Sequence, residues 1–407
     1  MSDIHPGVKT YNHERTLKNA LDSNLITNKD SNLILEYVRE RKITYDLSPT
    51  RINKITTHLT LWRRFLKAEY KQAAIFDIYE AIEGLKNGKN TRGKDFAQNT
   101  IHDYITVLKP FLLWLIENEY SDIPEKKVKK IKSPPVDTET TKPEELLTQE
   151  EIYNLIQGAR NTRDKALIAV LYESGCRIGE LGRLTWRDAI FDEYGVKLYS
   201  DDHKGKQTRY SRLTFSTEYL ANWKENTPLK NPDDNIFIAY QSNAPLNYSG
   251  FLRAIQRAAK ASGVTKATKT HLFRKSRITH MITQNYQESI IKKTMWGNLN
   301  TNMFQTYVRL SEDDIDNEFL KHAGIVRDDE QEKDLLLPIT CSQCHTVNAP
   351  DSMFCYKCGN PLNEEAEEIL NRNINNYIND IESDPEFEPL DQEYKKFESS
   401  AREKLNK

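Results

Sequence analysis

Apolar residues recur at helical spacing through the first 120 positions of the chain. Between Pro49 and Tyr70, the residues Ile52, Ile55, Leu59, Trp62 and Leu66 fall on one helical face. Ser48 followed by Pro49 supplies an N-cap and a first helical residue. Comparable stripes mark Asn32–Arg41, Ala74–Lys86 and Gln98–Glu119, with Pro110 predicting a kink in the last. Four such patterns predict a compact helical domain over residues 1–120 with basic outer faces.

Periodicity then stops. Residues 121–146 carry Lys126, Lys127, Lys129, Lys130 and Lys132, then Pro134 and Pro135, and predict a basic linker. Such a run is either a solvated connector or a strap along phosphates, where each lysine releases counterions. A second domain is predicted over 147–325. It opens on a capping box, Thr148 with Glu151, and continues in an apolar helix, Lys165–Ser174, closed by Gly175. After Asp192 the period shortens to two. Val196 and Leu198, then Tyr210, Leu213 and Phe215, flank the polar stretch His203–Gln207 as a small β-hairpin. Helical spacing resumes at Tyr248–Ser262 and runs on to Phe319. A short module at 338–362 follows, then a tail at 363–407 with Leu370, Ile374, Ile378 and Ile381 on one face. The fold class expected is mainly α, with a mixed α/β second domain that is mostly helical.

Composition changes this picture little. In 407 residues, no run of about 18 apolar positions offers a membrane span, and Met1–Asn24 lacks the apolar core of a signal peptide. A cytoplasmic protein without membrane contact is the expectation. The net charge of -2 hides an asymmetry: residues 363–407 hold thirteen acidic and six basic side chains, leaving residues 1–362 at about +5. That balance is only mildly basic, so it permits a nucleic-acid partner without announcing one.

Cysteine usage is more informative. Cys176 stands alone in an apolar stretch and reads as a small buried group. The other four form Cys341-x-x-Cys344 and Cys355-x-x-Cys358, ten residues apart. Four thiolates so spaced suit one tetrahedral Zn²⁺ in a short zinc ribbon, in a reducing compartment. So small a module needs the metal to fold, because its apolar burial is too small. The competing reading is a pair of redox dithiols. His345 is not needed as a ligand.

Three further stretches carry chemistry. In LYESGCRIGELGRLTW, Arg177 follows a helix-ending glycine and Glu180 lies one turn on, placed to brace it. In HLFRK, His271 and Arg274 share a helical face, and WGNLNTNMFQTY ends at Tyr307. Singly, each is an ordinary surface pair, cap or core aromatic. In this order and spacing they resemble the tyrosine recombinase family, the phage-type integrases, over roughly residues 27–325.

The resemblance implies a helical core-binding domain, a catalytic domain and a set of roles. Arg177 and Arg274 match the family's two arginines, whose planar forks grip the non-bridging oxygens of a scissile phosphate. Lys204 matches the lysine that protonates the departing 5′ oxygen, with Lys206 as competitor. His271 matches the residue of proton transfer, and Tyr307 the nucleophile that forms a 3′-phosphotyrosyl link. Asn298 stands where the family usually has histidine or tryptophan; its amide donates a hydrogen bond but cannot shuttle protons. Trp296, two residues away, is placed to fill that space. The resemblance further implies double-stranded DNA as partner, a homotetramer on two duplexes, and neither ATP nor catalytic Mg²⁺. It leads one to expect Asp313–Leu320 to pack on a neighbouring subunit. Two alternatives stay open: a type IB topoisomerase and a non-catalytic DNA-binding protein that kept the fold. Integration of an element and resolution of chromosome dimers are not separable at this level.

Overall fold

The computed structural model describes residues 12–138, 142–201, 208–266, 269–307 and 335–383, with short pieces at 316, 319–320, 323–325 and 396. Both lysines of the hairpin turn, Lys204 and Lys206, lie outside the described residues, as does most of Asp313–Leu320. The chain divides into two compact units at Lys142–Pro143.

The first unit is helical: α1 His13–Asp22, α2 Asn28–Tyr45, α3 Pro49–Trp62, α4 Ile75–Asn87 and α5 Gln98–Glu117. Ser48 caps α3 as its sequence predicts, accepting the Arg51 N–H at 3.4 Å with Pro49 in the first turn. Trp62, Tyr70 and Phe111 are fully buried, and Trp62 donates its indole N–H to the Tyr104 carbonyl at 3.0 Å. Two expectations need correcting. Helix α1 has no counterpart among the four patterns, because its polar-rich HERTLKNALD buries only Leu17 and Ala20. The stretch expected as a linker is partly structured. It forms a short helix, α6 Glu125–Lys129, and buries Val128 completely. Beyond α6, His102, Gln98 and Asn99 hold the backbone carbonyls of Pro134, Pro135 and Asp137 at 2.7–2.8 Å. One apolar side chain per turn suffices to seat α6, too few to register as a period.

The second unit packs α7 Gln149–Gly158, α8 Thr162–Ser174, α10 Thr217–Asn226 and α11 Tyr248–Ser262 around one core, with α8 buried on all sides. The predicted capping box at Thr148 and Glu151 is present. Strands β2 Gly195–Asp201 and β3 Thr208–Leu213 form the expected hairpin, pairing Val196 with Leu213 and Asp201 with Thr208. A third strand, β1 Ala189–Asp192, adds to β2. It alternates too briefly to stand out in sequence. Helices α12 Thr270–Thr283 and α13 Glu288–Trp296 enclose a smaller apolar cluster of Ile278, Met281, Ile291 and Met295.

The cysteine module carries β4 Ile339–Thr340 and β5 Val347–Asn348 and is seated on this unit. Leu336 and Ala349 join the main core. The Glu218 carboxylate of α10 accepts the Ala349 N–H at 2.8 Å and the Ser352 hydroxyl. Asp351 accepts from Gln157 of α7 and from the Tyr219 hydroxyl. A further helix, α14 Glu364–Ser383, exposes Leu370, Ile374, Tyr377 and Ile378. Ile381's side chain lies outside the described residues. No helix among the described residues is long and apolar enough to cross a membrane.

Candidate active site and metal centre

Helix α8 ends at Gly175, whose φ of +58° is left-handed. A Cβ there would sit 2.6 Å from the Met295 sulfur, so both the turn and the close approach demand glycine. This turn releases two groups into one place. Its carbonyl accepts the Arg274 Nη1 donor at 2.6 Å. Two residues later Arg177 caps the short α9, Ile178–Leu181.

Arg177 is held by Glu180 twice over: its backbone N–H donates to Oε2 and its Nη1 to Oε1, each at 2.8 Å. The arginine side chain stays 49% exposed while the glutamate is 3% exposed. The predicted brace is therefore real, and it leaves the rest of the Arg177 fork open to a ligand. Arg274 is 1% exposed. Its Nη2 donates to the Met295 carbonyl, and its guanidinium lies 5.4 Å from the Trp296 ring. Each terminal nitrogen carries two N–H groups, so these bonds leave donors to spare. Burial and the nearby charges of Arg209 and Arg177 pull its pKa down to about 10 against Glu180 and Tyr307, and it remains charged at neutral pH.

Arg209 was absent from the sequence-based site. It lies on the inward phase of β3, 1% exposed, with Ser211 and Leu213 as its neighbours on that face. Its Nη1 reaches the carbonyls of Thr294 and Met295 at 3.0 and 2.9 Å. Its Nη2 donates to Glu180 and to the Cys176 sulfur. An arginine on the buried phase of an alternating strand was the available signal. Burial opposes charge on Glu180, but Arg209 and Arg177 outweigh it and hold the carboxyl below its ordinary range. Two guanidinium groups hold one carboxylate and a third, Arg274, shares the Met295 carbonyl with Arg209, and the surplus positive charge makes this a place for an anion.

His271, at the start of α12, keeps an edge open to solvent. The atoms packed about it and the cations Arg274, Lys275 and Arg177 push its pKa down to about 4, so the ring is neutral at neutral pH. Tyr307 follows a short 3₁₀ turn, Asn302–Thr306, and packs on the α12–α13 cluster with its ring 5.7 Å from Trp296. Asn298 accepts the Asn300 N–H at 2.9 Å, which fixes its carbonyl oxygen in the turn and leaves its amide nitrogen as donor. Arg177, Arg274 and Tyr307 are thus linked through Glu180, Arg209, Met295 and Trp296.

The four cysteine sulfurs all lie within 4.8 Å of one another, with Cys341–Cys358 at 3.7 Å and Cys344–Cys355 at 3.6 Å. A tetrahedron with metal–sulfur bonds of about 2.3 Å has edges of about 3.8 Å, so the donor set fits one ion. The two knuckles repeat one design. His345 N–H donates to the Cys341 carbonyl at 3.0 Å and Gly359 N–H to the Cys355 carbonyl at 2.8 Å, both residues with positive φ. His345 closes a turn here and stands outside the sulfur cluster.

The second unit is thus mainly helical with a three-stranded sheet, and it carries two arginines before a late tyrosine. This chain matches the model of the Phage integrase family over residues 145–313. It is 27% identical to Transposase A from transposon Tn554 of Staphylococcus aureus over 195 residues, which are 43% of this chain and 52% of that protein. It is 23% identical to Tyrosine recombinase XerD of Oceanobacillus iheyensis over 297 residues, 68% of this chain and 95% of the relative. The chain thus spans about half the length of the transposase and nearly all of XerD. In fold it is similar to XerH site-specific recombinase bound to palindromic difH substrate, with a TM-score of 0.55 and 16% identity over 78% of this chain and 91% of that one.

Proposed function

We propose that this chain recombines DNA at specific sites by cutting and rejoining strands through Tyr307. The observation that carries the reading is the arginine cluster. Arg177 presents an open fork and Arg274 a braced one beside the tyrosine, within the segment that matches the family. A phosphodiester between these forks has its non-bridging oxygens neutralised as charge builds in the transition state. The Tyr307 oxygen attacks phosphorus and gives its proton to His271, which is neutral and able to accept it. The phosphorus–O5′ bond breaks, and Lys204 protonates the departing oxygen. A 5′ hydroxyl reverses these steps on the phosphotyrosyl bond, so joining needs no ATP. Asn298 donates its amide to the same phosphate.

Double-stranded DNA is the partner, and four copies act on two duplexes in the cytoplasm. The names of the relatives, recombinases and a transposase, favour this reading over relaxation of supercoils. Cys341, Cys344, Cys355 and Cys358 hold one structural Zn²⁺, on the fit of their spacing to a tetrahedral ion. The metal supplies folding energy to the module and no step of the reaction.

The test is covalent capture. Nicked suicide duplexes tiled from the DNA beside the gene should yield a denaturant-stable adduct mapped by mass spectrometry to Tyr307. Tyr307→Phe should bind these duplexes and form none. An adduct on another residue overturns the assignment, and no adduct on any duplex overturns the reading.

A further inference from the structure

We propose that Arg209 is a positioning residue that sets the two phosphate-binding arginines at a fixed separation. The inference rests on the recombinase reading above and adds to it a residue that touches no substrate. Both terminal nitrogens of Arg209 are fully engaged, Nη1 by the Thr294 and Met295 carbonyls and Nη2 by Glu180 and the Cys176 sulfur, so neither has an N–H left for a phosphate. Its fork joins the two arms of the site. On one side Nη2 donates to Glu180, whose two oxygens hold the backbone and the side chain of Arg177. On the other side Nη1 donates at 2.9 Å to the Met295 carbonyl, which also receives Arg274. Arg177 and Arg274 thus share one buried guanidinium as spacer.

Only a planar, permanently charged fork spans both acceptors at once. Lysine reaches one acceptor with one ammonium, and the other arm is left to drift. A drift of about 1 Å at a phosphate clamp is enough to cost roughly a hundredfold in rate. The same bond fixes the end of α13 and so the start of the segment that carries Trp296 to Tyr307.

The experiment is single-turnover cleavage of the nicked duplex that wild type cleaves, with adduct formed by wild type as the control for the recombinase reading. Arg209→Lys should lower the saturated rate about 30- to 100-fold while the half-saturating protein concentration changes less than threefold. In an Arg274→Lys background the same substitution should lose less than about threefold, because one of the two forks whose separation it sets is already gone. Equal losses in both backgrounds, or a loss confined to binding, overturn the proposal. Melting curves separate misfolding from misplacement. If Arg209→Lys does not fold, Glu180→Gln stands in, since it breaks the Arg177 arm alone. Loss additive with Arg274→Lys is expected for it under a purely structural role, and loss less than additive supports the spacer. Absence of adduct in wild type itself counts against the recombinase reading and not against the spacer.

Discussion

The Trp296 indole lies 5.7 Å from the Tyr307 ring, with the two planes tilted by 58°. The same indole lies 5.4 Å from the Arg274 guanidinium. One aromatic plate therefore lies beside both Arg274 and Tyr307, the cation and the nucleophile of the proposed reaction. Such contacts are worth about 0.5–1.5 kcal/mol for a ring pair and about 1–2 kcal/mol for a partly desolvated cation on a ring. Trp296→Ala should slow saturated cleavage roughly tenfold or more and leave duplex binding near wild type. Trp296→Phe, which keeps a plate, should recover most of the loss. Wild-type cleavage by Trp296→Ala would show that Tyr307 is placed by other contacts.

The two arginines should answer differently to the same conservative change. Lysine offers a single point charge where a fork holds two oxygens, so Arg177→Lys and Arg274→Lys should each cut cleavage by about 10²-fold or more. Stability should separate them. Arg177 is 49% exposed, and its loss should barely move the melting temperature. Arg274 is buried and ties Gly175 to Met295, so its loss takes the donor from the Gly175 carbonyl and costs about 1–3 kcal/mol. Calorimetry beside the cleavage assay reads both, and equal melting shifts would contradict the assignment of Arg274 as the buried brace.

His271 gives a pH test with a definite sign. Its pKa is lowered to about 4 in the folded protein by the surrounding atoms and then by Arg274, Lys275 and Arg177. The ordinary value is about 6.5. Above pH 6.5 the ring is neutral in both folded and unfolded chains, and its contribution to stability is complete. As pH falls from 6.5 towards 4, the unfolded chain takes up a proton that the folded one refuses, and that contribution drains away. An NMR titration of the His271 ring should show a midpoint near 4 in the free protein. Binding a duplex should raise it, because a phosphate offsets the three cations. A midpoint at or above 6.5 without DNA would mean that these cations do not face the ring.

Much of the candidate site is legible in the sequence, and the reason is physical. Arg177, His271, Arg274 and Tyr307 sit at helix ends and on short turns, where local spacing fixes which side chains share a face. Glu180 was legible for the same reason, three residues from its partner. Arg209 was not, because its acceptors on α9 and α13 lie 29 and 86 residues away in sequence. No local pattern encodes such a bond except the anomaly of a charge on an inward strand position. The seating of the cysteine module was hidden likewise. The spacing of its four cysteines predicts a metal site, whereas its attachment depends on Glu218, far upstream, meeting Ala349 and Ser352.

That attachment leads to a prediction about the metal. A free-standing ribbon would unfold alone when stripped, with the catalytic unit unaware of it. Here Ala349 is part of the catalytic core, and the Glu218 carboxylate takes two donors from the module. Metal analysis should find one zinc per chain, and chelation should lower the melting temperature of the whole second unit. Truncation before Leu337 should do the same, exposing core surface and removing the two donors that Ala349 and Ser352 give Glu218. The truncated chain should still form the Tyr307 adduct in its folded fraction, because the module contributes none of the arginine–tyrosine linkage. Glu218→Gln distinguishes the latch from general loss of mass. A neutral amide costs less to leave unpaired than a carboxylate, so this change should raise the melting temperature of the truncated chain. In the intact chain it should lower it, since two charge-assisted bonds weaken. Melting curves of the four proteins decide the matter. If both truncated forms melt as the intact chain does, the module is an appendage; if zinc is not stoichiometric, the four thiolates hold no structural ion.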